Sequence, residues 1–298
     1  MNVFYSPAFI GASSAFETTR KAGRVAASLA AEPIEGLVLK GPLPLTFEQV
    51  ARVHDEAYVR AVQTGEPLAM AQSQGFTWDA GLWPMLLASN GGAVAAALDA
   101  LQHGVSGSLS SGLHHASRST GLGYCTFNGL VMAALAALDA GAKSVLILDL
   151  DAHCGGGTAS LIQDEPRIWQ FDVSVDPYDR YESSERCELR LVTDAGQYLN
   201  EIDQGLSALA QRAPGFDLCL YNAGMDPFEG CADGALQGIT RELLAMRERK
   251  VFDWCHQQHL PVAFMLAGGY IGAGLDQAGL TGLHRLTLEA AADRIQTR

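Results

Sequence analysis

Short apolar runs of strand length alternate along this chain with longer stretches of helical period. The strand-like runs are Val3–Tyr5, Ser144–Leu150, Ile168–Phe171, Leu218–Tyr221 and Val262–Leu266, rich in branched and aromatic residues. Runs this apolar suit strands covered on both faces, which is the situation of a parallel sheet. Helical spacing predicts helices over Lys21–Ala31, Phe47–Thr64, Met85–His103, Leu130–Ala140, Leu199–Gln211, Glu242–Gln257 and the C-terminal segment. The alternation predicts an α/β fold, a three-layer open parallel sheet with helices on both faces, whose ligands gather beyond the carboxyl ends of the strands. No repeat, low-complexity tract or Pro/Gly/Ser-rich linker divides the chain, so residues 1–298 read as a single domain.

Composition narrows the possible partners. Among 298 residues, 20 basic stand against 33 acidic, a formal net charge of −13, and such a surface repels phosphate backbones. Direct nucleic-acid binding is therefore not expected. Cys125, Cys154, Cys187, Cys219, Cys231 and Cys255 are scattered without a CxxC pair, which suggests reduced thiols in a cytoplasmic protein rather than a disulfide framework or a cysteine zinc module. The start, MNVFYSPAFIGASSAFETTRK, has no basic segment followed by an apolar run, and nowhere do about 18 consecutive apolar residues occur. Neither an export signal nor a membrane span is expected.

Four segments carry candidate chemistry. The run SVLILDLDAH ends in Asp149, Asp151 and His153, an alternation that sends all three side chains to one face while the chain stays extended. Carboxylate oxygen with imidazole nitrogen is a ligand set for zinc and other divalent metals. The same residues can equally be two aspartates capping a glycine turn and a satisfied loop histidine. After LCLYN, the turn Asn222-Ala223-Gly224-Met225-Asp226-Pro227 adds a carboxylate at another strand end, although an Asp-Pro turn start is a frequent bland use of aspartate. Gly112-Leu113-His114-His115-Ala116 offers paired histidines, able to act as a base and a partner of different protonation. Finally, Leu266-Ala267-Gly268-Gly269-Tyr270 permits a sharp turn that aims the Tyr270 hydroxyl inward, unless the ring is simply packed. Convergence of strands on one rim lifts these segments above their separate readings.

In this order, GLHHA with GLGYCTFNG, DLDAHCGGGT, NAGMDP and LAGGY resemble the motifs of the zinc-dependent deacetylases of the arginase–deacetylase superfamily, which includes histone deacetylases, acetylpolyamine amidohydrolases and acetoin-utilisation proteins. FEQVARVHDEAYVRAV resembles the family's early helical region, with His54 and Tyr58 in a His-x-x-x-Tyr pattern, so the resemblance spans nearly the whole chain. It implies the arginase–deacetylase fold and one zinc ion held by Asp151, His153 and Asp226. By the same resemblance, His115 is the general base, His114 its electrostatic support oriented by Asp149, and Tyr270 the donor to the oxyanion. Gly123 and Tyr124 line the substrate channel. Phe171-Asp172-Val173-Ser174, with Asp149, resembles the segment that binds a structural potassium ion (K+) in relatives. Two departures stand out. Relatives usually carry Asp or Asn where this chain has Gly156, so the motif leaves the partner of His115 open among a water, a backbone carbonyl and another residue. Leu113 stands where many relatives have a proline-glycine, with little consequence expected.

A binuclear manganese ureohydrolase of the same fold is the nearest rival. It needs further carboxylates where this chain has Gly155 and Gly224, and two hard oxygen ligands do not hold a second metal. A catalytically silent scaffold is the non-enzyme alternative, against which the full set of ligands, histidines and tyrosine argues. The expected substrate is a small acylated amine or an acetylated protein. Glu229 and Asp233, on the loop after Asp226, are candidate acids at the channel mouth, although surface acids are commonly just solvated. The sequence leaves homo-oligomerisation open.

Overall fold

The computed structural model describes residues 1–12, 17–212 and 215–296. In chain order its elements are β1 (Asn2–Phe4), α1 (Glu17–Ala31), β2 (Val38–Lys40), α2 (Phe47–Ala51), α3 (Glu56–Thr64), α4 (Leu68–Ala71), α5 (Leu82–His103), β3 (Val105–Ser108), α6 (Gly129–Asp139), β4 (Val145–Asp149), α7 (Gly156–Leu161), β5 (Ile168–Ser174), β6 (Cys187–Leu191), α8 (Ala195–Ala210), β7 (Leu218–Ala223), α9 (Arg241–Gln257), β8 (Val262–Leu266) and α10 (Gln277–Gln296). The eight strands among the described residues form one sheet in the order β2-β1-β3-β8-β7-β4-β5-β6, and every pairing is parallel.

Period-two alternation divides the central strands between two apolar layers. Leu146, Leu148, Phe171, Tyr221 and Phe264 face one cluster with α1, α8, α9 and α10, while Val145, Ile147, Leu220 and Met265 face a second with α3, α5 and α6. Helix α5 is long and apolar enough to cross a membrane by composition, but 61% of its most apolar window is buried inside the fold. The alanines of α5 and α6 pack as a core layer over the sheet.

The expected helix over Phe47–Thr64 is in fact two. α2 opens on a capping box, in which Thr46 accepts from the Gln49 N–H and the Gln49 side chain accepts from the Thr46 N–H. The chain then leaves helical geometry so that His54 can donate from Nδ1 to the Ser117 carbonyl (2.7 Å) and accept the Asn128 N–H on Nε2 (2.9 Å). Asp55 begins α3. Helical spacing did not register this break because the tertiary hydrogen bonds of a single histidine outweigh one turn of helix. Strands β2, β3 and β6 lie outside the five expected runs. β3 (Val105-Ser106-Gly107-Ser108) is buried but too short and polar to show as an apolar run, while β2 and β6 are the two sheet edges, where the exposed Val38-Leu39-Lys40 and the mixed Cys187-Glu188-Leu189-Arg190-Leu191 lack the pattern of a buried strand.

Candidate metal centre and active site

The strand register lines up Asp172, Asp149 and Asn222 across β5, β4 and β7, so the polar residues that follow emerge together at the carboxyl rim. Just beyond the rim, Asp151, His153 and Asp226 are all buried, and one ligand atom from each lies within 4.8 Å of the others. The His153 ring turns Nδ1 toward both carboxylates, 3.1 Å from Asp151 Oδ1 and 3.2 Å from Asp226 Oδ2. Backbone donors fix the other oxygens. Ala152 N–H donates to Asp226 Oδ1 (3.0 Å) and Gly268 N–H to Asp151 Oδ2 (2.7 Å). Glycine is required at 268, because a Cβ there would lie 2.0 Å from Asp226 Oδ2.

The electrostatics of this trio fit a cation. Burial and the neighbouring Asp151 carboxylate push the Asp226 carboxyl up to about 7, and apart from the His153 ring its buried Oδ2 meets no hydrogen-bond donor. Burial disfavours the His153 cation, yet Asp151 and Asp226 raise its pKa to about 12. Two carboxylates and an imidazole nitrogen compressed this closely form a donor set that a divalent ion satisfies without help from a surface ion pair.

The paired histidines sit beside this cluster, their rings 4.0 Å apart, but in opposite electrostatic settings. His114 Nδ1 lies 2.8 Å from Asp149 Oδ2, whose other oxygen accepts from Asn222 Nδ2 (2.9 Å) and from Asp151 N–H (3.1 Å). Burial opposes the His114 cation, but Asp149 and Asp151 overcome it and raise the pKa to about 10. Burial and then the charge on His114 lower His115 to about 4. Its Nδ1 is 2.9 Å from Asp179 Oδ2, on the loop after β5. The expectation that another residue, a backbone carbonyl or a water replaces the carboxylate missing at Gly156 thus resolves to a side chain far along the sequence.

The channel expected at Gly123 and Tyr124 is a narrow cleft that also touches His114, His115, Asp151 and Tyr270. Tyr124 is partly exposed and packs on Phe76, ring centroids 5.3 Å apart. Tyr178 stands opposite, its ring edge-on to His115 at 5.1 Å and to His153 at 5.9 Å. Tyr270 lies 6.2 Å from the His153 ring, and burial holds its phenol pKa well above the ordinary value. Of the two acids expected at the mouth, only Asp233 is near the site, 3.9 Å from His153 Nε2 with a 68% exposed side chain. Glu229 instead accepts from Gln237 Nε2 and Gly238 N–H, holding its own loop. His54 and Tyr58 do not reach the site. Tyr58 donates to the Thr126 carbonyl and His54 to that of Ser117, so both brace the loop between the histidines and α6. Leu113 departs further than expected, adopting a left-handed φ of 58° that favours glycine. A wide surface groove lies elsewhere, between α1 and α10, and contains none of these residues.

Four contributors carried no sequence signal of their own or were passed over. Lys21 of α1 is buried, donates to the Ser111 hydroxyl (2.9 Å) and to the Ala267 carbonyl, and is lowered to about 7 by burial. Arg247, fully buried on α9, donates to the Leu150 carbonyl (3.1 Å) and the Gly224 carbonyl (2.7 Å), tying together the loops that carry Asp151 and Asp226. Both look in the sequence like members of ordinary charged helix faces. Tyr178 and Asp179 were discoverable: Val175-Asp176-Pro177-Tyr178-Asp179 follows a strand, and the carboxyl ends of parallel strands are where ligands gather.

An open parallel sheet with an Asp-His-Asp cluster and paired histidines on its carboxyl rim defines an α/β protein with a metal-type active centre. The histone deacetylase domain matches residues 15–280, and the chain belongs to that family. An uncharacterized protein of Picosynechococcus sp. is 35% identical over 224 residues, covering 73% of this chain and 74% of that one. Histone deacetylase 2 of Arabidopsis thaliana is 30% identical over 188 residues, and the match spans 61% of this chain and 48% of the plant protein. The crystal structure of acetylpolyamine aminohydrolase from Burkholderia pseudomallei shares the fold, with a TM-score of 0.78, 18% identity and 98% coverage of both chains.

Proposed function

We propose that the protein is a zinc-dependent amidohydrolase that removes an acetyl or similar acyl group from an amine. The observation that carries this reading is the buried Asp151-His153-Asp226 cluster, whose Asp226 Oδ2 has only the His153 ring beside it, set beside two histidines of opposite protonation. Asp151, His153 and Asp226 would hold one zinc ion per chain, and zinc, when bound, supplies Lewis-acid polarisation of the amide carbonyl.

The protein groups supply the rest. His115, kept neutral by burial and by the adjacent charge, takes a proton from the attacking water and later returns it to the leaving nitrogen. His114 stays protonated against Asp149, a fixed positive charge that favours the negatively charged transition state. The Tyr270 hydroxyl, held protonated by burial, donates to the developing oxyanion. Gly123 offers its carbonyl to the substrate amide N–H, Tyr124 lines the channel, and Tyr178 meets His115 edge-on beside it. Asp149 and Asp172, paired in register with Asp172 fully buried, are the residues on which a structural potassium ion would rest.

The substrate class follows from Asp233 and from the net charge of −13, which together favour an acylated amine bearing a further positive charge. An acetylated polyamine and an acetyl-lysine flanked by basic residues both meet that description. The test combines metal analysis with turnover of a monoacetylated diamine. One zinc per chain and turnover that Asp226→Ala abolishes together with the metal are expected. Two metals per chain, or an Asp226→Ala variant that still turns over, would overturn the reading.

A further inference from the structure

We propose that Asp179 is the positioning residue of His115, a carboxylate supplied by the loop after β5 to a base whose own metal-strand segment has only glycine to offer. The inference rests on the amidohydrolase reading for the role of His115, and on this chain's geometry for the rest. Asp179 Oδ2 takes two donors at once, His115 Nδ1 at 2.9 Å and the Gly157 N–H at 3.0 Å. Since the carboxylate can only accept, the ring proton belongs on Nδ1, which leaves the Nε2 lone pair open for a proton from water.

Gly156 is the complement of this arrangement. A Cβ at 156 would lie 2.3 Å from the Asp179 carbonyl oxygen and 2.6 Å from Oδ1, so the absence of a side chain there is what admits the Asp179 loop. The loop is itself shaped for delivery. Tyr178 N–H donates to Asp176 Oδ1 (2.8 Å), Cys154 N–H ties the Tyr178 carbonyl to the metal-strand loop (3.0 Å), and Asp179 adopts φ +57°. That left-handed backbone is one which Asp and Asn tolerate better than other side chains, and such outliers collect where a site needs them. Tyr178 and Asp179 are consecutive, so the edge-on ring that limits tilting of His115 and the carboxylate that fixes its rotation move as one unit. The ring that meets His115 edge-on and the carboxylate that holds its Nδ1 thus belong to one loop, an arrangement that a carboxylate at position 156 would not provide.

The test uses the full-length metal-loaded protein with a monoacetylated diamine, comparing Asp179→Ala and Asp179→Asn, each alone and in a His115→Ala background. Asp179→Ala should lower kcat by about 10–100-fold, the usual effect of removing an orienting partner, with KM and zinc content unchanged. Asp179→Asn keeps an acceptor oxygen and the left-handed backbone, and should recover most of the loss. In the His115→Ala background neither variant should lower the residual rate further, because Asp179 acts only through His115. A readout independent of turnover is the His115 Nδ1–H resonance, identified by its loss in His115→Ala. It should be protected from exchange in the parent and in Asp179→Asn, and absent from Asp179→Ala. A wild-type kcat in Asp179→Ala, a further loss in the His115→Ala background, or persistence of the resonance without Asp179 would each refute the proposal. A parent protein with no turnover but the expected resonance pattern would instead refute the amidohydrolase reading and leave the positioning role standing.

Discussion

The end of β4 and the loop after β5 each bring a carboxylate to one of two adjacent histidines, and they do so by opposite means. Asp149 reaches His114 from within the segment that also carries Asp151 and His153, and it is locked on its second oxygen by Asn222 and a backbone N–H. Asp179 reaches His115 from outside that segment, on a half-exposed loop that ends beside the channel. The buried dyad raises the His114 pKa and the more exposed one accompanies a lowered His115 pKa, so neighbouring histidines favour opposite protonation states at neutral pH. Burial alone does not produce the division, because both rings are buried. Its source is the balance of neighbouring charge: Asp149, Asp151 and Asp172 all favour the His114 cation, whereas at His115 the positive charge of His114 is set against Asp179 and Asp151.

The largest expected effect tests that division directly. His115→Ala should cost roughly three orders of magnitude in kcat, in the range of a lost general base, and His114→Ala less, with both variants retaining zinc. Steady-state kinetics showing the reverse order would exchange the two roles. Tyr270→Phe, which removes an oxyanion donor common to both, should lower kcat about 100-fold or more while circular dichroism and Tm stay those of the parent. Here an unchanged rate would place the oxyanion elsewhere.

A smaller effect sharpens the electrostatic side. His115 must be neutral to act as a base, so activity should fall as pH drops through its pKa, and a folded-state value lowered to about 4 puts that acidic limb well below neutrality. The His114 cation is one cause of that lowering, so removing it raises the His115 pKa. The acidic limb of kcat/KM in His114→Gln should accordingly move to higher pH. A limb that stays in place, or moves down, would show that the two rings are not electrostatically linked. Least of all, Asp233→Asn should reduce kcat/KM only a few-fold, for cationic acylated amines and not for their neutral analogues, and the difference should fade with salt because the carboxylate is largely solvated. A salt-independent loss on both substrates would make Asp233 a structural partner of His153 instead.

Arg247 supplies a contrast in how stability serves the site. Its guanidinium is fully buried, bonded to Glu248, the Tyr198 hydroxyl and the carbonyls of Leu150 and Gly224. Removing one member of such a buried network leaves the others uncompensated, a loss of about 3–5 kcal/mol that apolar packing at the same position does not offset. The loops that carry Asp151 and Asp226 are thus held from behind by charge, while the opposite face of the sheet is held by alanine-rich packing of α5 and α6.

Much of this was written locally. Five of the strands, most helices and the Asp149-Asp151-His153 alternation follow from residues adjacent in sequence, because side-chain period and strand pleat act over a few residues. Asp226, Tyr270 and the histidine pair were legible one step further out, since a parallel sheet brings the ends of its strands to one rim whatever the loops between them. The break at His54, the brace from Arg247, the burial of Lys21 and the choice of Asp233 over Glu229 were decided only in three dimensions. So was the partner of His115, for the bond to Asp179 joins residues 64 apart, and the Gly156 that makes room for it appears in sequence only as a missing carboxylate. A hydrogen bond between two loops has no period and no required spacing. It depends on where the sheet sets each loop down, which the chain as a whole determines and no segment of it contains.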